Sequence, residues 1–217
     1  MSALKLVIFD CDGVMFDSKE ANRAYYNHLL ARFGHPPMPE ADVEYVHIHH
    51  VMDSVRHIFR HHPEDFPAAD AYRREVDYTP YLRHMRMEPD LREFLELLRP
   101  DLNAAISTNR TTTMSTILKI FDLERYFDVV VTATDVARPK PHPDALRKIL
   151  AQCRCAVDEA VYIGDSPVDQ EHAAGVGMRF IAYKSPALVA DHHVTSFMAI
   201  TDLPFWPATA AQRQAAS

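Results

Sequence analysis

The stretch Leu4-Lys5-Leu6-Val7-Ile8-Phe9-Asp10-Cys11-Asp12-Gly13-Val14 decides the fold class of this chain. Its apolar, β-branched run is long enough for a strand buried on both faces and too short for a helix. The run ends in two aspartates spaced i, i+2, followed by a glycine. Because aspartate is almost never fully buried unless it is paired or bound to a metal, Asp10 and Asp12 indicate a polar site at the carboxyl end of this strand.

Apolar segments of strand length alternate with helical patterns in the second half of the chain. This alternation predicts βαβ units and therefore an α/β fold with a parallel sheet. The predicted strands after the first are 103–107, 129–132, 160–163 and 178–183. The predicted helices are 91–99, with Asp90 as its cap, 113–121, 144–153 and 168–174.

The segment between the first two strands is too long for a simple connection. After a helix at 18–33 it continues with apolar positions at helical spacing and no convincing strand. We therefore expect a core of residues 1–15 and 88–206, a helical cap of residues 16–87, and a C-terminal tail of residues 207–217. The cap holds a cluster of histidines: His47, His49, His50, His57, His61 and His62.

The composition limits the function classes. The chain has 217 residues, 47% of them hydrophobic, and a formal net charge of −7 at pH 7. This charge argues against a nucleic-acid partner, which needs a basic surface, and no apolar run is long enough to span a membrane. Three cysteines give no even disulfide framework. We therefore expect a cytoplasmic protein, as a monomer or weak homodimer, without nucleic-acid or membrane partners.

Polar residues also follow the second, third and fourth predicted strands. Ser107-Thr108-Asn109 ends the second strand, Lys140-Pro141 follows the third, and Gly164-Asp165-Ser166 with Asp169 ends the fourth. Carboxylates can hold Mg²⁺ together with waters and a substrate phosphate, while a hydroxyl, backbone N–H groups and a lysine can hold phosphate oxygens. The sequence therefore predicts a phosphate-handling site at the strand ends.

With these four ordered motifs, the chain resembles the haloacid dehalogenase superfamily over nearly its whole length. The long gap between the first and second motifs is similar to the helical cap of the phosphoglycolate phosphatase and β-phosphoglucomutase branch. The resemblance implies a Rossmann-like core and a Mg²⁺-dependent phosphatase acting on a small phosphorylated metabolite. An acid at Asp12 favours phosphate transfer, because dehalogenases of the family lack one there and phosphonatases carry alanine.

The resemblance and the chemistry of the residues assign the same roles. Asp10 is the expected nucleophile, and Asp12 the expected general acid and then base. Mg²⁺ would be bound by Asp10, Asp165 and the backbone carbonyl of Asp12. The phosphate-binding candidates are Ser107, Thr108, Asn109 and Lys140, and Thr108 fits the family spacing better than Ser107. Asp169 is expected to support Lys140 or the metal waters.

Several alternatives stay open at this point. A β-phosphoglucomutase-like phosphomutase would use the same motifs, and a non-catalytic member of the fold would bind a ligand or partner instead. In the cap, His57 and His61 are spaced i, i+4 as a metal pair could be. His47 or His49 could contact substrate, or the cap histidines could lie on a solvated helix surface.

Overall fold

The computed structural model describes residues 3–49 and 51–207. They divide into two compact units. One comprises the described residues of Met1–Met15 and Met87–Ser217, and the other is Phe16–Arg86. We call the first the core and the second the cap. His50 and residues 208–217 of the expected tail lie outside the described residues.

A parallel six-stranded sheet forms the centre of the core. Its strand order is β5-β4-β1-β6-β7-β8, and all five neighbouring pairs are parallel. A separate two-stranded ribbon pairs β2 with β3. The strands are β1 Leu6–Phe9, β2 Phe16–Asp17, β3 Arg86–Met87, β4 Asn103–Ser107, β5 Val129–Val131, β6 Ala160–Gly164, β7 Arg179–Tyr183 and β8 His192–Val194. The α/β prediction is confirmed.

The first strand is central because every residue of it is apolar and fully buried. It pairs with β4 on one side and β6 on the other, in a register that aligns Phe9 with Ile106 and Ile163. Such a strand leaves no face for solvent, as expected for a parallel sheet covered on both sides. The carboxyl ends of β4, β1 and β6 are therefore side by side.

Four helices follow the strands of the core. Helix 91–98 is amphipathic. Its apolar residues recur at helical spacing and are buried: Leu91, Phe94, Leu95 and Leu98. The chain's α-helices, in order, are α1 Lys19–Arg32, α2 Glu40–Ile48, α3 Val51–Ile58, α4 Phe66–Arg73, α5 Leu91–Leu98, α6 Met114–Ile120, α7 Asp144–Cys153 and α8 Pro167–Ala174.

Two details differ from the sequence-based expectation. The sixth strand, β8, was not predicted, because a three-residue edge strand of sequence His-His-Val has too little apolar pattern to identify. Asp90 occupies the N-cap position of α5, but its side chain makes no cap hydrogen bond. Asp90 Oδ2 instead accepts a hydrogen bond from the backbone N–H of Met198, 108 residues away in sequence.

The cap unit contains α1 to α4 around its own apolar cluster. Tyr25, Leu29, Val43, Val55 and Phe59 belong to its buried centre. Helix α1 ends where Gly34 adopts a φ of +77°, a left-handed conformation that glycine reaches without a Cβ penalty.

Several cap histidines are engaged within the cap. The rings of His49 and His57 both stack on Tyr45, with ring centroids 3.7 Å apart in each pair. His57 Nε2 also lies 2.8 Å from Asp42 Oδ1, whereas His61 is exposed. Among the described residues, the i, i+4 pair of His57 and His61 belongs to no group of three metal-binding side chains. The structure gives no support to a metal site there.

None of the described helices has both the length and the apolarity that crossing a bilayer requires.

Candidate active site

The predicted site residues follow three adjacent strands. Asp10 comes directly after β1, Thr108 after β4 and Asp165 after β6. The Asp10 N–H donates to the Ile163 carbonyl at 2.9 Å, which continues the ladder one residue past β1. Because these strands are neighbours in the sheet, the side chains that follow them gather at one edge of the core.

Lys140 connects two of the carboxylates. Its Nζ lies 2.8 Å from Asp10 Oδ1 and 2.7 Å from Asp169 Oδ1, and its side chain is only 4% exposed. Burial opposes the charge on this ammonium, but the charges of Asp10 and Asp169 outweigh that effect and raise the pKa of Lys140. The lysine is therefore a permanent buried cation.

Asp10, Asp165 and Asp169 form an acidic cluster whose candidate ligand atoms all lie within 4.8 Å of one another. Burial, followed by the charge of Asp169, raises the pKa of Asp165 to about 7. One lysine thus does not compensate the three carboxylates. Oxygen ligands with excess negative charge suit a divalent cation, so the donor set fits Mg²⁺.

The Asp10 carboxylate is held by one of its oxygens. Oδ1 accepts the backbone N–H of Cys11 at 2.6 Å as well as the Lys140 ammonium. Burial and the charge of Asp169 raise the pKa of Asp10, and Lys140 acts in the opposite direction. This anchoring orients the carboxylate through Oδ1.

Two glycines make room for the acidic cluster. A Cβ on Gly13, whose φ is +76°, would lie 1.9 Å from Asp165 Oδ2. A Cβ on Gly164 would lie 2.3 Å from the Asp169 Cβ. Both distances are far below van der Waals contact, so any side chain at either position would displace a carboxylate of the cluster.

Asp169 is positioned by the first turn of α8. Ser166 and Asp169 form a capping box, in which Ser166 Oγ accepts the Asp169 N–H and donates to Asp169 Oδ2. Burial works to raise the pKa of Asp169, but the charge and hydrogen bond of Lys140, with hydrogen bonds from Ser166 and Tyr162, lower it overall. Asp169 is thus an ionised partner of Lys140.

Tyr162 was not singled out by the sequence analysis. Its hydroxyl donates to Asp169 Oδ1 at 2.6 Å and accepts from Lys140 Nζ at 3.1 Å. The signal was present, because a tyrosine in an otherwise apolar buried strand needs a partner for its hydroxyl. The residue completes the polar environment of Lys140.

Arg110, directly after Asn109, pairs with Asp12. Its Nε donates to Asp12 Oδ2 at 2.8 Å and one terminal nitrogen donates to Asp12 Oδ1 at 2.6 Å. This two-bond pairing joins residues 98 apart in sequence. No local pattern could have revealed it.

The structure distinguishes the candidate hydroxyls of Ser107 and Thr108. Ser107 is fully buried, and its Oγ lies 2.9 Å from His172 Nε2. The Ser107 hydroxyl thus has His172 as a buried partner, and phosphate binding by Ser107 stays a prediction. Side chains of successive residues along a strand point to opposite faces of the sheet, so the Thr108 side chain is expected on the other face from that of Ser107. Asn109 donates from Nδ2 to the Lys140 carbonyl at 3.2 Å and supports the lysine loop.

His172 is fully buried and held on both ring nitrogens, by Ser107 at Nε2 and by the carbonyl of His142, 2.7 Å from Nδ1. Burial, then the charge of Lys140, lowers the pKa of His172 from its ordinary 6.5 to about 4. The folded protein therefore keeps this ring neutral in a pH range where the unfolded chain protonates it.

We expect this difference to make stability pH-dependent. Above pH 6.5 the ring is neutral in both states; as pH falls toward 4, only the unfolded chain takes up the proton, so stability is lost. Relative to His172→Gln, the wild type should lose up to roughly 1.4 kcal/mol of unfolding free energy per pH unit in this window. Urea unfolding of both proteins from pH 7.5 to 4.5 measures it. Parallel curves would contradict the assignment.

Comparisons with known proteins place this geometry in a family. The family model "Haloacid dehalogenase-like hydrolase" matches residues 7–183. A solved structure from Geobacter sulfurreducens PCA, a HAD-superfamily hydrolase of subfamily IA, variant 1, superimposes with a TM-score of 0.84. It is 37% identical, and the match covers 92% of this chain and 95% of that one.

Several curated relatives carry enzyme names. A phosphoglycolate phosphatase of Cereibacter sphaeroides is 28% identical, over 82% of this chain and 84% of its own length. A protein of Caldanaerobacter subterraneus subsp. tengcongensis named "Putative pyrophosphatase PpaX" is 34% identical over 104 residues; that match spans about half of each protein, 47% in both cases. The resemblance noted from the motifs is confirmed. The chain belongs to the haloacid dehalogenase-like hydrolase family, as an enzyme of its phosphatase group.

Proposed function

We propose that this protein is a Mg²⁺-dependent phosphatase that hydrolyses a small phosphorylated metabolite through an aspartyl-phosphate on Asp10. The observation that carries the proposal is the position of Lys140, which contacts Asp10 and Asp169 directly beside a three-carboxylate cluster. A nucleophile, a buried cation and a metal-ligand set in one place match the needs of phosphoryl transfer.

In the first half-reaction, Asp10 Oδ2 attacks phosphorus while the bond from phosphorus to the leaving oxygen breaks. Asp12 gives its proton to that oxygen, so the product leaves as an alcohol rather than an alkoxide. Because the Cys11 N–H and the Lys140 ammonium hold Oδ1, the orientation of the carboxylate is fixed before the substrate binds. Less entropy is then lost in bringing Oδ2 to the phosphorus. The result is a phosphoryl group bonded to Asp10.

In the second half-reaction, water attacks the same phosphorus and the bond to Asp10 breaks. Asp12, now ionised, accepts the proton from water, and inorganic phosphate leaves. Asp10 and Asp12 thereby return to their starting states.

The remaining residues stabilise charge on the phosphoryl group. Lys140 and the Thr108 hydroxyl would hold its oxygens, and Asp169 with Tyr162 would hold Lys140 in place. Mg²⁺, when bound by Asp10, Asp165 and the backbone carbonyl of Asp12, would offset the repulsion between two anions.

Phosphate release should depend on Mg²⁺. We expect activity to be lost in EDTA, to return on adding Mg²⁺, and to return poorly with Ca²⁺, whose larger and looser coordination suits the site less well. The assay measures inorganic phosphate from 2-phosphoglycolate, pyrophosphate and glucose 1-phosphate, the first two taken from the names of the relatives. Full activity in EDTA, with residual metal excluded by elemental analysis, would remove the metal from the proposal.

The same panel separates the alternative functions. Release of phosphate from at least one compound supports a phosphatase, and the ranking of kcat/KM identifies its substrate class. Conversion of glucose 1-phosphate to glucose 6-phosphate without phosphate release would instead indicate a phosphomutase. Saturable binding without turnover of any compound would indicate a non-catalytic ligand-binding protein.

A further inference from the structure

We infer that His172 is a positioning residue that holds the loop carrying Lys140, an inference that rests on the proposed phosphatase function. Its Nδ1 lies 2.7 Å from the carbonyl oxygen of His142, two residues after the lysine. Its Nε2 lies 2.9 Å from Ser107 Oγ at the end of β4. The imidazole therefore joins three segments of the core: helix α8, strand β4 and the lysine loop, residues 139–143.

The lysine loop is short of backbone donors. Its residues 139, 141 and 143 are prolines, so Lys140 and His142 alone have backbone N–H groups there. The His142 N–H donates to the Pro139 carbonyl at 3.0 Å, within the loop. Two further carbonyls of the loop are paired with side chains from outside it: Asn109 donates to that of Lys140, and His172 to that of His142. The position of the loop thus depends on neighbouring side chains.

The two ring nitrogens of His172 have different roles. A carbonyl oxygen only accepts hydrogen bonds, so Nδ1 carries a proton and donates it to the His142 carbonyl. Burial, followed by the charge of Lys140, lowers the pKa of the ring to about 4, so the ring is neutral and Nε2 has no proton. Nε2 therefore accepts from the Ser107 hydroxyl. Donation from Nδ1 holds the loop, and acceptance at Nε2 ties the ring to the sheet.

Helix α8 holds the lysine at both ends. Asp169 and His172 are spaced i, i+3, which places their side chains on one face of the helix. Asp169 Oδ1 lies 2.7 Å from Lys140 Nζ, while His172 binds the main chain two residues after Lys140. The lysine side chain is only 4% exposed, so packing leaves it little room to compensate for a displaced backbone. Loss of the Nδ1 bond should therefore move the ammonium relative to Asp10 and the phosphoryl group.

Two amide variants test the two nitrogens separately. The side-chain amide of asparagine reaches the position of Nδ1, whereas that of glutamine reaches the position of Nε2. His172→Asn can therefore still donate to the His142 carbonyl, while His172→Gln keeps the contact with Ser107 and loses that bond. With p-nitrophenyl phosphate and saturating Mg²⁺, we expect His172→Gln to lower kcat on the order of 30-fold and to change KM less than about 3-fold, because a misplaced cation loses most in the transition state. His172→Asn should keep at least about a third of the wild-type kcat.

Hydrogen exchange reports on the loop without turnover. The His142 N–H closes the loop onto Pro139 and should exchange on the order of 10-fold faster in His172→Gln, but within about 2-fold of the wild-type rate in His172→Asn. Leu98→Ala is the control for stability, since it removes a buried side chain of α5 and should lower the unfolding temperature without changing kcat or this exchange.

Several results would overturn the inference. They are equal losses of kcat in the two His172 variants, no loss in either, a greater loss in His172→Asn, or a loss of the same size in Leu98→Ala. A folded His172→Asn protein as impaired as Lys140→Met would also overturn it, whether or not His172→Gln folds.

A double variant distinguishes failure of this inference from failure of the proposed function. If His172 acts through Lys140, adding His172→Gln to Lys140→Met should lower kcat by less than about 2-fold, because the shared contribution is already lost. A loss as large as in the wild-type background contradicts only the role of His172. Undiminished phosphate release by Lys140→Met contradicts the proposed mechanism itself.

Discussion

Asp10→Asn should reduce phosphate release by at least on the order of 10⁴-fold, because an amide has nearly the same shape as the carboxylate but cannot attack phosphorus. The asparagine oxygen can still accept the Cys11 N–H, and Lys140 keeps Asp169 as its partner. The variant should therefore fold normally. Steady-state kinetics with the preferred phosphomonoester, together with circular dichroism and thermal unfolding, measure both properties.

The covalent step provides a second readout for this variant. Acid quenching during turnover should trap a hydroxylamine-sensitive phosphoprotein in the wild type and none in Asp10→Asn. Asp144→Asn is a suitable control, since Asp144 pairs with Arg138 on the exposed surface of the core and should keep both activity and phosphoprotein. More than a few per cent of wild-type activity in Asp10→Asn would exclude Asp10 as the nucleophile.

Lys140→Met should reduce activity on the order of 10³-fold and also destabilise the fold. The activity is lost because no buried cation remains to stabilise charge on the phosphoryl oxygens. The stability falls because Asp10 and Asp169 keep their burial but lose their shared counter-ion, a loss of about 3–5 kcal/mol for a buried pair. Urea unfolding in EDTA isolates this protein contribution from any metal.

A double variant separates the two effects of Lys140. Combining Lys140→Met with Asp10→Asn removes one of the two unpaired buried charges, so the double variant should be more stable than Lys140→Met alone while remaining inactive. If the two substitutions destabilise additively, the contact between Lys140 and Asp10 is not the source of the energy. If Lys140→Met is stable and active, the lysine has neither role.

Much of the core could be predicted from local pattern. Strand 103–107 and helix 144–153 match the observed β4 and α7 residue for residue, since apolar period and flanking turn residues are properties of the chain itself. The convergence of Asp10 and Asp165 also followed from sequence, because carboxyl ends of parallel strands share one edge of the sheet. Prediction succeeded where the deciding interaction is between neighbours in sequence.

The contacts that local pattern did not predict have one physical origin. Thr108 fits the family spacing better than Ser107, but nothing near Ser107 in sequence indicates that its hydroxyl pairs with His172 of α8. Asp90 was expected to cap its helix, yet its carboxylate binds a backbone N–H far along the chain. In both cases a side chain with several possible partners took a distant one.

The sequence by itself determined the fold class, the positions of the strand ends and the residues that bear carboxylates and a cation there. Those features depend on hydrophobic periodicity and on the chemistry of single residues. Tertiary structure alone decided which of these groups touch: Lys140 with Tyr162, Arg110 with Asp12, His172 with Ser107. Such contacts depend on the strand order β4-β1-β6 and on its register. Both are set by the packing of the whole core, which no stretch of sequence encodes alone.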